Sequence, residues 1–203
     1  MDIYFSPLAC SLASRITLYE SGQEATFQRV DTKAGRTASG EDYRAINPKG
    51  LVPALRTDDG AVLTENAAIL QYIADRKPEA GLAPSGFGRY QLQQWLSFIG
   101  SELHKTVFTP LLSPSFPAEA KAKAKELAAS RLAYLNDHLT GRDWLLDDFS
   151  VADAYLAAVL NWNMAVKFDL TPYPAIQAYQ ARLAMRPAVG KALGEELALY
   201  QAA

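Results

Sequence analysis

Cys10, the only cysteine in the chain, stands where a strand pattern gives way to a helix pattern. Apolar residues 3–5 precede it, and a helix-like run begins at Leu12. The positive end of a helix dipole and free amide groups favour the thiolate, which is the nucleophilic form of cysteine. A lone cysteine is also often a small buried hydrophobe. With the polar Ser11 beside it, the segment is equally compatible with a reactive thiol and a structural residue.

A second group of polar side chains shares one face of a helix predicted further along the chain. Counted from the first of them, these residues lie at positions zero, four, seven and eight, which share one helical face: Ser97, Ser101, His104 and Lys105. A separate apolar stripe on this helix consists of Leu92, Trp95, Leu96, Ile99 and Leu103. The polar face could simply be solvated. It could equally supply an imidazole and an ammonium to a reactive thiol.

Two features of the first half could position an extended ligand. Pro53 directly precedes a strand pattern, where a trans peptide is the common state. A cis Pro53 would leave the N–H and C=O of Val52 free to pair with an added peptide strand. A helix begins at Thr64 or Glu65, and its N-terminus suits a ligand carboxylate, while Glu65 could pair with a ligand ammonium. An ordinary helix cap would look the same.

The composition indicates a soluble globular protein without an electrostatic preference for nucleic acid or anionic membrane. The 203 residues are 49% hydrophobic and carry 20 basic and 22 acidic side chains, for a net charge of −2. One cysteine allows no internal disulfide, and no clustered metal-ligand spacing occurs. The longest apolar stretch, residues 151–162, is too short to span a bilayer. Asp2 stands where a signal peptide would carry basic residues, so we expect a cytoplasmic protein.

The pattern of elements changes along the chain and predicts two domains. Residues 1–78 alternate short strands and helices, with a marked hairpin turn at residues 58–60, and predict a small α/β domain. Residues 79–88 form a linker rich in proline and glycine. Residues 89–203 read almost entirely as long amphipathic helices and predict an all-α domain.

Five motifs resemble bacterial glutathione transferases of the beta class, in the order found in that family and across nearly the whole chain. They are Ser-Pro-Leu-Ala-Cys-Ser-Leu (residues 6–12), Asn-Pro-Lys-Gly-Leu-Val-Pro-Ala-Leu (47–55), Leu-Thr-Glu-Asn-Ala-Ala-Ile-Leu-Gln-Tyr-Ile-Ala (63–74), Gln-Trp-Leu-Ser-Phe-Ile-Gly-Ser-Glu-Leu-His-Lys (94–105) and Phe-Ser-Val-Ala-Asp-Ala-Tyr (149–155). The resemblance implies a thioredoxin-like N-terminal domain followed by an all-helical C-terminal domain, assembled as a homodimer. In the last motif, Ser150 and Asp153 also form a capping box that opens a helix, so this motif argues for fold rather than chemistry.

The resemblance also implies roles for particular residues. Cys10 would contact the glutathione sulfur and form a mixed disulfide with it, with Ser11 and His104 as the other catalytic residues. Val52, held by a cis Pro53, would bind the cysteinyl backbone of glutathione. The further glutathione contacts that it implies are Glu65 and Asn66 at the γ-glutamyl end and Ser97, Ser101, Glu102, His104 and Lys105 from the helical domain. In this family the partner subunit can supply part of that last group.

Two positions depart from the family pattern. Gly35 stands where we expect a lysine that helps to hold the glycine carboxylate of glutathione, and Lys33 and Arg36 are the candidates to replace it. Ser97 stands where the family often has an asparagine. Both departures bear on glutathione affinity and not on the fold.

We expect a glutathione transferase in which a thiolate attacks an electrophilic carbon or an oxidised sulfur. A helix N-terminus and a cationic His104 nearby would lower the pKa of Cys10 below the roughly 8.5 of a free cysteine. Since the chain has no second cysteine, a second glutathione must resolve a mixed disulfide at Cys10. The alternatives are a monothiol glutathione-dependent oxidoreductase or peroxidase, and a non-catalytic binding or regulatory protein on the same fold.

The expected partners are glutathione, as a co-substrate, and a hydrophobic electrophile. A pocket for the electrophile is predicted from Leu8, Phe108, Phe116 and Trp162. We expect no prosthetic group, metal, nucleic acid or membrane. Aromatic pocket walls accept many planar substrates, so the sequence leaves the electrophile open.

Overall fold

The computed structural model describes residues 1–202, and contacts divide the chain into two compact units. The first unit comprises residues 1–83 together with the residues from Pro187 onward, and the second comprises residues 84–186. The sequence predicted a domain of residues 1–78, a linker of residues 79–88 and a helical domain of residues 89–203. The main difference is the C-terminal segment, which packs with the first unit.

The first unit is thioredoxin-like and is built on a mixed five-stranded sheet with the order β3-β2-β1-β4-β5. The strands are β1 (Asp2–Phe5), β2 (Thr26–Asp31), β3 (Arg36–Thr37), β4 (Ala54–Arg56) and β5 (Val62–Thr64). The helices of its N-terminal part are α1 (Leu12–Ser21), α2 (Tyr43–Ile46) and α3 (Asn66–Asp75), followed by a 3₁₀ turn (Pro78–Ala80). β1 pairs in parallel with β2 and antiparallel with β4, and β4 pairs antiparallel with β5. The sequence missed only β3, because two residues are too few to show a strand pattern.

Alternation along the central strands fills a core on each face of the sheet. On one face the core consists of Ile3, Leu18, Leu55, Ile69 and Ile73, all fully buried. On the other face Tyr4 packs with Val30, Tyr43 and Ala54. The ring centroids of Tyr4 and Tyr43 lie 5.7 Å apart. Tyr4 therefore serves packing.

The last helix, α10 (Pro187–Gln201), joins the first unit through a buried ion pair. Nε of Arg15 donates to Oε1 of Glu196 at 2.9 Å, and the guanidinium lies 3.7 Å from the centre of the Phe27 ring. The second carboxylate oxygen of Glu196 accepts the N–H of Leu8 at 2.8 Å. The sequence assigned α10 to the helical domain, because an ion pair between residues 181 positions apart leaves no local pattern.

The described part of the second unit is all-helical, as predicted. Its elements are α4 (Phe87–Phe98), a π-helical segment (Ile99–Phe108), α5 (Thr109–Leu112), α6 (Ala118–Leu139), α7 (Val151–Asn161), α8 (Asn163–Val166) and α9 (Pro174–Ala184). The predicted apolar stripe of α4 and the π-helical segment is buried along its whole length. Among residues 1–202, no helix combines the length and the apolar composition needed to cross a bilayer.

The predicted capping box at the start of α7 is confirmed. Oδ2 of Asp153 accepts the N–H of Ser150 at 2.9 Å, and the hydroxyl of Ser150 accepts the N–H of Ala152 at 3.3 Å. The other oxygen of Asp153 accepts hydrogen bonds from the Leu145 N–H and the Tyr179 hydroxyl. Burial raises the pKa of Asp153. The motif thus fixes the start of a buried helix, which is a structural role.

Candidate functional site

Cys10 lies between β1 and α1, at the end of the sheet where β1 finishes. Its side chain is only 8% exposed, and Sγ donates to the carbonyl oxygen of Val52 at 3.4 Å. Helix α1 begins at Leu12, so the positive end of its dipole lies close to the thiol. The amides of Leu12 and Ala13 already donate to the carbonyls of Ala9 and Cys10. The sequence predicted that free N–H groups at the start of the helix would stabilise the sulfur. Since two of these N–H groups are already hydrogen-bonded, the helix stabilises the sulfur mainly through its dipole.

Ser11 holds the Cys10 loop in shape. Its buried hydroxyl donates to the carbonyl oxygen of Ser6 at 3.3 Å and accepts the N–H of Ser6 at 3.3 Å. The resemblance implied a catalytic role for Ser11, and the structure shows its hydroxyl engaged with Ser6. Leu8, predicted to line the electrophile pocket, adopts φ 60 in the same loop. Glu196 anchors the loop there by accepting the Leu8 N–H.

Val52 presents a backbone edge beside Cys10. The Val52–Pro53 peptide is cis, as the resemblance implied. The side-chain amide of Asn47 donates to the carbonyl oxygen of Leu51 at 2.7 Å and so fixes the preceding loop. Within residues 1–202 the N–H of Val52 has no hydrogen-bond acceptor. A backbone N–H left open in this way suits an extended ligand that adds to the sheet edge.

Helix α3 begins with an exposed carboxylate and a buried amide. Glu65, the residue before the helix, has φ 70, a conformation that costs a non-glycine residue on the order of 1–3 kcal/mol and clusters at functional sites. Its side chain is 72% exposed and pairs with the ammonium of Lys49. Asn66 is only 7% exposed, and neither of its side-chain polar atoms has a hydrogen-bond partner among the described residues. A buried amide of this kind calls for a partner from a ligand or from water.

The register of the sheet brings these predicted residues to one end of the first unit. Tyr4 of β1 lies opposite Ala54 of β4, which lies opposite Thr64 of β5. Cys10, Val52 and Glu65 therefore lie at neighbouring strand ends. No group of three or more His, Cys, Asp or Glu side chains within residues 1–202 is arranged to hold a metal ion. The groups available here are a thiol, an open backbone edge, a carboxylate and an amide.

A groove of about 800 Å³ lies at the opposite end of the same sheet. It is lined by the last turn of α1, the start of β2 and the start of α10. β2 begins opposite Asp2, the first residue of β1, whereas Cys10 follows the last residue of β1. The groove contains none of the predicted site residues.

In the second unit, the His104 imidazole packs against Tyr155 and Trp162. Its Nδ1 lies 2.8 Å from the Tyr155 hydroxyl oxygen, and the His104 and Trp162 ring centroids are 4.8 Å apart. Burial and, secondarily, the charge of Lys105 lower the pKa of His104 to about 4. The imidazole is therefore neutral at pH 7. This corrects the prediction of a cationic His104, because desolvation outweighs the stabilisation that a nearby thiolate was expected to supply.

Tyr155 is a neighbour of His104 that the sequence analysis did not identify as a site residue. It lies in the fifth motif, 51 positions further along the chain, and that motif was assigned to the fold. A neutral imidazole nitrogen is a stronger base than a phenol oxygen, so we infer that Tyr155 donates to Nδ1. The proton of the neutral ring then resides on Nε2, which is left as a hydrogen-bond donor.

The other predicted residues of the polar face have different environments. Ser97, Ser101 and Lys105 are exposed, and the Ser101 hydroxyl donates to the carbonyl oxygen of Ser97 at 2.9 Å. Both Nε and Nη2 of Arg131 donate to Oε2 of Glu102, at 3.0 and 2.8 Å. The Glu102 carboxylate thus has a cationic partner from α6, which local sequence could not indicate.

Two of the four predicted pocket residues meet in the second unit. The Phe108 and Trp162 rings have centroids 5.8 Å apart, and Phe168, which the sequence did not suggest, lies 5.9 Å from Phe108. Phe116 lies between α5 and α6 and is 38% exposed. The fourth predicted residue, Leu8, belongs to the first unit.

The lowered pKa of His104 predicts a pH-dependent contribution to stability. Between about pH 6.5 and pH 4 the unfolded chain binds a proton at this position that the folded protein does not. The free energy of unfolding should therefore fall as the pH falls through this window. We expect His104→Gln to flatten that slope in urea denaturation series. An equal slope for wild type and His104→Gln would contradict the neutral imidazole.

Comparison with known proteins places both units in one family. Residues 9–76 match the family model of the glutathione S-transferase N-terminal domain, and residues 101–187 match that of the C-terminal domain. Glutathione S-transferase GstA from Escherichia coli O157:H7 is 46% identical over 199 residues, which cover 97% of this chain and 98% of that protein.

Two solved structures share the fold over almost the whole chain. A sphingomonad glutathione S-transferase complexed with glutathione is 48% identical, with a TM-score of 0.92, and the match covers 97% of this chain and 98% of that one. A bacterial beta-class glutathione S-transferase from Sphingomonas chungbukensis is 44% identical, with a TM-score of 0.92 and the same coverage of 97% and 98%.

A thioredoxin-like unit and an all-helical unit in a single chain define the class of protein. The chain belongs to the glutathione transferase family, and it is an enzyme that uses glutathione. The activity that the sequence predicted is thereby confirmed at the level of the reaction class.

Proposed function

We propose that the first unit binds glutathione in an extended conformation along the end of the sheet. Glu65 pairs with the γ-glutamyl ammonium, the N–H of Val52 pairs with the cysteinyl backbone, and the sulfur lies beside Cys10. These three positions follow one another across β5, β4 and β1, in the order of the parts of the tripeptide. The glutathione bound to the sphingomonad relative supports the choice of ligand.

The buried amide of Asn66 is the observation that carries this proposal. It lacks a partner for both its oxygen and its nitrogen among the described residues. Its oxygen can accept from an ammonium and its NH₂ can donate to a carboxylate, which are the two charged groups of a γ-glutamyl end. An unpaired buried polar group costs about 1–3 kcal/mol, so a ligand that satisfies it gains binding energy.

Replacing Asn66 with leucine tests this point. We expect the free protein to gain about 1–3 kcal/mol in the free energy of unfolding, because the unpaired groups are removed. Glutathione binding should weaken about tenfold or more, since 1.4 kcal/mol corresponds to a factor of ten. Urea denaturation and calorimetric titration measure the two effects.

The matched control is Asn136→Leu in the second unit. The Asn136 Oδ1 accepts the N–H of Ala175 at 2.9 Å, so this variant should lose stability and keep its glutathione affinity. A less stable Asn66→Leu with unchanged affinity would mean that water already satisfies Asn66 and that the ligand does not contact it.

For disulfide substrates we propose a two-step exchange at Cys10. Its thiolate attacks the glutathione sulfur of a mixed disulfide, forms a new S–S bond and releases the other sulfur as a thiolate, which takes up a proton. The thiolate of a second glutathione then attacks the bound glutathione sulfur. This step releases oxidised glutathione and restores the Cys10 thiolate. The second glutathione is required because the chain has no other cysteine.

For electrophilic carbon we propose that the glutathione thiolate itself attacks. A C–S bond forms while the leaving group departs with its bonding electron pair. The resemblance implies a role for His104, and the neutral imidazole can fill that role only as a hydrogen-bond donor through Nε2–H, not as a positive charge. Ser97, Ser101 and Lys105 complete the proposed contacts to glutathione. Glu102 stays in the proposal on the strength of the resemblance, because Arg131 donates to only one of its carboxylate oxygens, Oε2.

We propose that Phe108 and Trp162 form the wall against which a hydrophobic electrophile binds. Trp162 and the neighbouring Phe168 are partly exposed, and the buried Phe108 packs edge-to-face against both rings and holds them in place. His104 contacts the same Trp162 ring, so the surface adjoins the proposed sulfur-stabilising group. Leu8 and Phe116 stay in the proposal on the strength of the resemblance alone.

We propose that the enzyme is a homodimer, in which part of the glutathione contact comes from the partner subunit. The family resemblance supports this assembly. Light scattering at micromolar concentration should give twice the mass of the chain. A monomer mass that persists at that concentration would contradict the proposal.

We also propose a cytoplasmic location. Glutathione keeps thiols reduced in that compartment, and the exchange proposed at Cys10 needs reduced glutathione. Cell fractionation should recover the protein with soluble cytoplasmic markers, and recovery with secreted or membrane markers would contradict this location.

A further inference from the structure

The contacts proposed within the first unit leave one charge of the ligand without a partner in that unit. Glu65 and Asn66 account for the γ-glutamyl end and Val52 for the cysteinyl backbone, but the glycine carboxylate at the far end has none. Position 35, where a lysine was expected, is a glycine. The inference below rests on the proposed function and concerns the residue that binds this carboxylate.

The side chain of Arg44 lies in a notch between two loops of the first unit. A Cβ atom added at Gly35 would lie 3.4 Å from Nε of Arg44, and one added at Gly50 would lie 3.7 Å from its Cζ. Both glycines have positive φ values, of 69° and 65°. A side chain at position 35 would thus be strained and would crowd the guanidinium. The two glycines leave the space in which Arg44 lies.

The guanidinium of Arg44 is available to a ligand. Within residues 1–202 it has no ion pair and no hydrogen bond, and the residue is exposed. By contrast, Nη1 of Arg36 donates to the carbonyl oxygen of Gly40 at 2.8 Å. Arg36, which the sequence suggested, is therefore already hydrogen-bonded within the protein. Arg44, which the sequence did not suggest, has all its guanidinium N–H groups available to a ligand.

The topology places Arg44 at the correct end of the ligand. β1 and β2 are parallel, so the loop after β2, which contains Gly35, emerges at the same end of the sheet as Cys10. Going from Glu65 past Val52 and Cys10, the next strand is β2. An extended tripeptide covers about 10 Å, which is about two strand spacings. From β5 this length reaches β1, and the Arg44 side chain lies beside Gly35 in the loop that follows the next strand, β2.

We propose that Arg44 binds the glycine carboxylate of glutathione and takes the place of the lysine that is absent at position 35. A guanidinium presents paired N–H donors that match a carboxylate in a bidentate geometry, which a lysine cannot reproduce. Gly35 is part of the arrangement, because its missing side chain keeps the notch open. Because Arg44 pairs with the charged glycine carboxylate, the site should prefer a ligand with a free carboxylate at this end over one in which that carboxylate is neutralised.

Calorimetric titration with two ligands tests the assignment. The monoethyl ester of glutathione at the glycine carboxylate replaces the charge that Arg44 is proposed to bind with a neutral ethyl ester, and the comparison with Arg44→Gln separates the loss of charge from the bulk of the ethyl group. The wild type should bind the ester about tenfold more weakly than glutathione. Arg44→Gln should bind glutathione about tenfold more weakly than the wild type does and should no longer distinguish the two ligands. The controls Lys33→Gln and Arg36→Gln should keep the preference for glutathione.

The outcomes separate this inference from the function on which it rests. If Arg44→Gln keeps the full preference of the wild type, or if Lys33→Gln or Arg36→Gln abolishes it, Arg44 is not the carboxylate ligand. A wild type that binds both ligands equally also overturns the inference while leaving the glutathione site intact. A wild type that binds neither ligand overturns the proposed site and this assignment with it. Thermal melts of each variant verify that it is folded.

Discussion

Cys10→Ala is expected to abolish glutathione-dependent disulfide exchange while conjugation of an electrophilic carbon continues. The exchange forms and breaks a covalent bond at Sγ of Cys10, so removal of the sulfur leaves only the rate of glutathione in solution. Conjugation uses the sulfur of glutathione itself. The dipole of α1 remains in the variant to stabilise that thiolate. Parallel assays with a mixed disulfide and an aromatic halide measure the two reactions.

The chemistry at Cys10 has a direct readout in the wild type. Incubation with oxidised glutathione should add one glutathione to the protein, and peptide mass spectrometry should locate it at Cys10. The rate of alkylation by iodoacetamide should rise with a midpoint below the roughly 8.5 of a free cysteine, because a helix N-terminus stabilises the thiolate. Cys10→Ser, which keeps a small polar side chain, is the matched control for loss of exchange. Full exchange in Cys10→Ala, or an ordinary thiol titration, would return Cys10 to a structural role.

The parts of the site that depend on local sequence could be predicted from it. A strand that ends just before Cys10, a proline before β4 and a carboxylate at the start of α3 each leave a signal within a few residues. The resemblance then supplied their common purpose and the cis state of Pro53. Alternating burial along β1 and β4 likewise follows from short-range periodicity, so the two cores of the first unit could be anticipated.

The parts that depend on distant partners could not be predicted. Glu102 meets Arg131 from 29 positions away, so a carboxylate expected to face the ligand is paired inside the protein. His104 is buried against Tyr155, 51 positions away, and burial makes it neutral. The notch at Arg44 arises only when the loops that carry positions 35 and 50 meet around it. In each case the charge of the side chain, or whether it can bind a ligand, depends on its neighbours in the fold and not on its residue type.

Glu65→Gln is expected to weaken glutathione binding by about 1.5–3 kcal/mol, which corresponds to a change in Kd of about 10- to 150-fold. The substitution keeps the shape of the side chain and removes the charge that is proposed to pair with the γ-glutamyl ammonium. Because the carboxylate is 72% exposed and already pairs with Lys49, the lower part of this range is expected. Calorimetric titration gives the affinity.

The matched control is Glu79→Gln, which neutralises an exposed carboxylate of the 3₁₀ turn after α3. It changes the net charge of the first unit by the same amount and should leave glutathione affinity unaltered. A similar loss in both variants would mean that Glu65 acts only through long-range electrostatics. No loss in Glu65→Gln would remove it from the site.

The measurement that tests the central claim most directly compares glutathione with its desamino analogue, glutaryl-cysteinylglycine, which lacks the γ-glutamyl ammonium. If that ammonium pairs with Glu65, the wild type should bind the analogue about 10-fold or more weakly than glutathione, and Glu65→Gln should bind the two ligands almost equally. Calorimetric titration of both proteins with both ligands completes the cycle, and any preference that Glu65→Gln retains is attributed to the Asn66 oxygen, which can accept from the same ammonium. An equal preference for glutathione in the wild type and in Glu65→Gln would contradict the placement of glutathione along this end of the sheet.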